Sequence, residues 1–259
     1  MRPLARAAVV LLYLFLLAPM IVVVLSSFSN DAYLAFPPRH WGFAAYGGLL
    51  RNEGFQSGLE VSLVLGGIVT AVTLLIGTAA AWALARTSIP GRGSLLAFFT
   101  APLLMPTIVL GLALLLVFAQ LGLLGTLPGL VFGHSLVALP YVVRLMLTAI
   151  RGVPASVEEA AATLGAPPAA VFRRVTLPLI RPALLAAAAL AFLASFDEVV
   201  ITLFVIGPRL TTLPIQIFHY VQYRADPQVS ALSVVLIAVT ILLIVVIDRS
   251  TGFMRTVSR

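Results

Sequence analysis

Very few side chains in this sequence could do chemistry. Asp197 and Glu198 stand together, two residues after Ser195, inside a stretch (182–203) that is otherwise apolar. A carboxylate in such surroundings costs free energy unless it faces a cavity, a partner or a cation. The pair therefore reads in two ways: as a lining that attracts a cationic solute or closes a gate, or as a hydrogen-bond or ion-pair anchor between helices. Adjacent helical residues point about 100° apart, so the two acids divide, Asp197 to a path and Glu198 to an inter-helix contact. Enzymatic sets are missing. Ser135 and Ser195 have no nearby base in the sequence, so no catalytic triad is assembled. The three histidines are scattered without metal-ligand spacing, and His134 reads as a satisfied polar contact. There is no cysteine and no lysine. Without lysine a standard Walker A loop cannot reach nucleotide phosphates, so any ATP chemistry must reside in another chain. No cofactor is expected.

The elements that must position these residues are membrane helices. The chain is 61% hydrophobic and only 10% charged, with a mean hydropathy of +1.12. That leaves too little polar surface to cover a water-soluble body. Six apolar runs, 7–25, 61–84, 95–118, 127–150, 182–203 and 229–247, each approach the ~20 residues a spanning helix needs. The formal charge of +7 does not indicate nucleic acid, because the arginines fall at the ends of these runs instead of forming a patch. Arg2, Arg6, Arg86, Arg92, Arg151, Arg173, Arg174, Arg181, Arg249, Arg255 and Arg259 fall on one side. Arg39, Arg51, Arg209 and Arg224 fall on the other. Eleven against four predicts cytoplasmic N- and C-termini. Arg144, inside a run, is placed to snorkel. Asp197 then lies about 22 Å from the cytoplasmic end of its run. Pro106 and Pro140 each remove a backbone donor within a run and predict a kink. The four alanines 186–189 predict close helix contact. His219, Tyr220 and Tyr223 predict an amphipathic interfacial element over 213–224.

The connection 151–181 carries the densest local signal. Ser156 with Glu159 fits a capping box. Val157, Ala160, Ala161 and Leu164 recur at i, i+3, i+4, i+7 and make a narrow apolar face. Gly165 can take the left-handed conformation that stops a helix, and Pro167 and Pro168 suit the start of the next one, which is expected to end before Pro178. A helix of two turns is marginal by itself. It must dock, either on this protein's own membrane body or on a groove of a separate cytoplasmic protein.

Glu159-Ala160-Ala161, Gly165, Val175 and Leu177-Pro178 resemble, at matching spacing, the E-A-A-x3-G-x9-I-x-L-P loop of ABC importer permeases, with Val175 in the place of isoleucine. The order of spans, the 195–200 stretch and Thr212-Leu213-Pro214-Ile215 are similar to the second permease component of spermidine/putrescine-type systems. This resemblance implies an all-α integral membrane protein of six transmembrane helices, a type I importer permease fold forming one domain over 1–259. It also implies that Glu159, Ala160, Ala161, Leu164 and Gly165 form a coupling helix for an ATPase dimer. Ser195, Asp197 and Glu198 become the pathway or gate. The implied partners are a second permease that is a different chain, an extracytoplasmic solute-binding protein and membrane lipid, in a bacterial inner membrane. A polyamine or related cationic amine is the implied cargo. Two departures bear on it: Thr107 follows Pro106 and Ala45 precedes Tyr46, where polyamine permeases can carry an acid and an aromatic. The competing reading is a stand-alone secondary transporter or channel.

Overall fold

The computed structural model describes residues 3–207, 210–224 and 226–251. Arg2, Arg209, Arg255 and Arg259 of the orientation argument lie outside the described residues, as does the side chain of Arg249. In chain order the helices are α1 (Pro3–Ser27), α2 (Ala44–Leu49), α3 (Glu53–Arg86), α4 (Arg92–Thr100), α5 (Thr107–Leu121), α6 (Leu127–Gly152), α7 (Ala155–Thr163), α8 (Pro168–Val171), α9 (Leu177–Phe196), α10 (Val200–Val205), α11 (Leu213–Tyr223) and α12 (Pro227–Thr251). Among the described residues no strand forms beyond two isolated bridges. Four helical stretches are long and apolar enough to cross a membrane, Ala5–Ser27, Glu53–Arg86, Leu127–Gly152 and Pro168–Phe196, and a bent pair makes a fifth. The sixth run, 229–247, lies within α12, a helix of 25 residues. The chain is thus all-helical and membrane-embedded, but the described residues do not yield six uniform spans.

Two runs differ from expectation in physically instructive ways. The third, 95–118, is a helix, a single 3-10 turn (Ala101–Leu104) and a second helix, bent by 101°. Pro106 sits at that corner with extended backbone (ψ 128°), as its missing N–H allows. Pro140, by contrast, is absorbed within the unbroken α6. The fifth run starts earlier than predicted. The helix from Pro168 does not end before Pro178; it continues to Phe196. A π-helical segment, Phe172–Thr176, widens one turn, so the lost donor at Pro178 is accommodated without a stop.

The described chain forms two compact units, one of 3–56 with 216–246, the other of 57–215 with 247–251. In the first, the apolar stretch of α1 is uncovered by the chain itself, with Leu11 66% and Phe15 77% exposed. The 28–43 connection is ordered by polar bonds. Asn30 N–H donates to the His40 carbonyl at 2.8 Å. The Asp31 carboxylate accepts from Arg39 N–H at 2.8 Å and Ser29 Oγ at 3.0 Å, and it pairs with His40 Nδ1 at 2.7 Å. The Arg39 amide first, and His40 after it, hold the Asp31 pKa down at about 2. Within α11, Tyr223 is 82% exposed, and Tyr220 packs at a tilt against Phe55 and donates to Asp226 at 2.6 Å.

The second unit is a bundle around α6. Val142, Val143, Met146 and Ile150 of that helix are fully buried. Ala187 and Ala191 of α9 are buried as well, and α9 packs along α6, as the alanine run predicts. Gly111 lets α5 approach α10: a Cβ there would stand 2.5 Å from the Phe204 ring.

Candidate functional site

The predicted docking helix exists as α7, but its N-terminus is built differently from expectation. Its N-cap is Pro154 without a side-chain cap bond, so Ser156 and Glu159 form no capping box. The helix starts two residues earlier because Pro154, with extended backbone (ψ 130°), already turns the chain. The C-terminus matches. Gly165 has φ +84°, its N–H donates to the Ala162 carbonyl at 2.9 Å, and Ala166 N–H donates to Ala161 at 3.2 Å. These two bonds are a Schellman motif, which satisfies carbonyls the helix end would leave free.

Glu158, the residue before the predicted motif, anchors α7. Its Oε2 lies 2.7 Å from Arg86 Nε, an ion pair not aligned as a hydrogen bond, with both side chains about one-sixth exposed. Its Oε1 accepts from the Thr176 hydroxyl at 2.6 Å. Arg86 Nη2 donates to the carbonyls of Ile150 and Val153, both at 2.9 Å. One guanidinium at the end of α3 therefore caps the end of α6 and fixes α7 by charge. Sequence reading missed this cluster because its members are separated by as many as 90 positions; Arg86 stood out only as one basic loop residue.

With Glu158 turned inward, the predicted face points outward. Val157 is 42% and Leu164 89% exposed. Glu159 and Ala160 are exposed, Ala161 is half-buried, and no residue of α7 is buried. Of the two docking readings, the protein's own body therefore does not cover this face.

The acids lie at a helix break. Asp197 ends α9, with φ −93° and ψ 4°, and α10 starts at Val200. Glu198 makes a local bond in place of the predicted inter-helix contact: its Oε1 accepts from Ile201 N–H at 2.9 Å. That caps α10 at the end where the helix dipole favours negative charge. Asp197 is exposed within the chain. It stands at the C-terminal end of α9, where the dipole disfavours an anion.

His134 joins the two sides of the break. Fully buried in α6, it lies with Nδ1 3.0 Å from Ser195 Oγ and 3.1 Å from the Ser195 carbonyl, and with Nε2 2.9 Å from Thr202 Oγ1. Thr202 donates its hydroxyl proton to the Glu198 carbonyl at 2.7 Å. Nε2 must then be the donor toward Thr202, and Nδ1 accepts from the Ser195 hydroxyl, a tautomer assigned from the bonding pattern. Ser195 is 3% exposed, so it supports the break from behind and lines no open surface. Arg144 is exposed, consistent with snorkelling.

Residues 73–255 match the family described as "Binding-protein-dependent transport system inner membrane component". This chain belongs to that family. As an inner-membrane transport component it is a transport subunit and not an enzyme. It is 35% identical over 240 residues to the putrescine transport system permease protein PotI of Escherichia coli K12, covering 90% of this chain and 85% of that protein. It is 30% identical over 237 residues to the spermidine/putrescine transport system permease protein PotC of the same strain, covering 90% and 88%. In fold it is similar to a chain in the crystal structure of a bacterial ABC transporter involved in the import of the acidic polysaccharide alginate. That match has a TM-score of 0.73 at 20% identity, over 96% of both chains. The type I importer permease resemblance read from the sequence thus holds.

Proposed function

We propose that this transport component forms, with a second permease chain, the route for a small cationic amine, a polyamine or a close relative. A solute-binding protein delivers the cargo and an ATPase dimer drives the cycle. The chain acts as one permease domain over 1–259 with both termini in the cytoplasm. The observation that carries this reading is α7: a two-turn helix, capped at Gly165 and held from behind by Glu158, whose small apolar face is left open. Burying Val157 and Leu164 in a groove of a partner contributes about 1.5–3 kcal/mol each when complete. That is enough to make a nine-residue helix a docking element. Glu159, Ala160, Ala161, Leu164 and Gly165 are the coupling residues, with Arg86 and Glu158 relaying their motion to the ends of α3 and α6.

Asp197 supports the cationic cargo. An exposed carboxylate at the C-terminal end of α9 adds its charge to the negative end of the helix dipole, the arrangement that broken membrane helices offer to cations. Glu198 and the His134 chain hold the two half-helices on either side, so Ser195, Asp197 and Glu198 act as one gate. The names of the two Escherichia coli relatives point to the same cargo class, while Thr107 and Ala45 mark where this chain departs from the polyamine pattern. The exposed apolar stretch of α1 is a surface for lipid or for the second permease. Reconstitution in liposomes tests the proposal. Uptake of radiolabelled putrescine is expected only with binding protein, second permease, ATPase and ATP all present. Full uptake by this chain alone would make it a stand-alone transporter or channel.

A further inference from the structure

In the second unit, α3 and the helix Pro168–Phe196 leave a groove of about 630 Å³ between them. It is lined almost wholly by apolar side chains, among them Leu74, Leu75, Ala79, Trp82, Phe172 and Leu184. From Leu74 to Trp82 it follows α3 for eight residues, about 12 Å, against a hydrocarbon thickness of about 15 Å for one leaflet. Its Trp82 end lies near Phe172, toward the α7 end of the unit. An indole at that level is the residue type favoured where hydrocarbon meets headgroups.

The charges beside the groove have one sign. Arg173 falls four residues after Ala169 and four before Leu177; Arg181 falls four after Leu177 and three before Leu184. Ala169, Leu177 and Leu184 line the groove, so both arginines fall beside its stripe of the helix, Arg173 within the widened π turn. Helical side chains lean toward the N-terminus, which carries both guanidinium groups toward the Trp82 end of the groove. Both are exposed, and neither has an ion-pair partner among the described residues. The acids of this region, Glu158 and Glu159, line a separate cavity of about 310 Å³ that meets the groove at Trp82, Pro168 and Phe172. Arg174, one residue along in the π turn, points off the stripe.

We propose that this groove binds one anionic phospholipid, its acyl chain laid along Leu74–Trp82 and its phosphate held by Arg173 and Arg181. A guanidinium pair matches a phosphate in charge and in donor geometry, and basic pockets between membrane helices select anionic headgroups. The site rests only on the membrane location of the helices and is independent of the cargo and of α7 docking. Native mass spectrometry of the assembled transporter, titrated with phosphatidylglycerol or phosphatidylethanolamine, tests it. The wild type is expected to retain phosphatidylglycerol with about tenfold preference. R173Q/R181Q abolishes the preference, R174Q keeps it, and A79W, which fills the groove, lowers retention of both lipids. An unchanged preference in R173Q/R181Q would overturn the proposal. So would disulfide crosslinking of Leu75→Cys to a cysteine introduced in a second permease chain that occupies the groove.

Discussion

Arg86→Met gives the sharpest test of how α7 is held. The methionine keeps much of the stem volume and removes the charge. Glu158 then keeps only its bond from Thr176, and the Ile150 and Val153 carbonyls lose their Arg86 donors. A lost charged hydrogen bond costs about 1.5–3 kcal/mol and a neutral one about 1. The cluster is one-sixth exposed, and water recovers part of that loss, leaving a net cost on the order of 2–3 kcal/mol. At 1.4 kcal/mol per tenfold, local opening of α7 rises about 30- to 140-fold. Amide hydrogen exchange over 155–165 reads this directly. Glu158→Gln should raise exchange in the same segment, and the two changes combined should cost less than their sum because they share one interaction. Glu159→Gln should leave exchange unchanged, since that side chain is exposed. Unaltered exchange in Arg86→Met, or an equal effect of Glu159→Gln, would refute the anchoring role of Arg86 and Glu158.

Three further outcomes are expected. His134→Ala leaves Ser195 and Thr202 without their shared partner in a fully buried position and should lower stability by about 2–4 kcal/mol, read as a fall in Tm of the purified complex. Asp197→Asn should lower uptake while leaving assembly with the ATPase intact; uptake at the wild-type rate would remove Asp197 from the pathway. Asp31, held at about 2 against an ordinary 3.8, stabilises the 28–43 connection above pH 3.8. That contribution fades as the pH falls toward 2. Trp41 emission in a W82F background should follow that transition, and Asp31→Asn should abolish it.

The membrane helices were legible because apolar length is a local property. Leu127–Gly152 lies within two residues of the predicted run at its C-terminal end and matches it at the start. The Gly165 stop was legible for the same reason: a positive φ is a requirement of one residue. Where two local signals compete, the sequence misleads. Pro178 reads as a stop, yet a widened π turn carries the helix through it; Ser156 and Glu159 read as caps, yet Pro154 starts the helix first. Long-range polar partners were illegible. Nothing local distinguishes Glu158 from Glu159, and only the fold brings Arg86 beside the first and leaves the second outside. His134 was read as a satisfied contact, which it is, but its partners are 61 and 68 residues away, and so its place at the break around Asp197 emerged only from the structure.

The central claim is that the outward face of α7 is the surface through which ATP hydrolysis reaches the membrane helices. Leu164→Asp tests it most directly, because that side chain is 89% exposed and its substitution disturbs nothing inside the chain. The measurement is the amount of ATPase subunit that co-purifies with the permease pair. A loss of tenfold or more, at unchanged Tm of the membrane subunits, is predicted; wild-type retention of the ATPase with wild-type uptake would contradict the account.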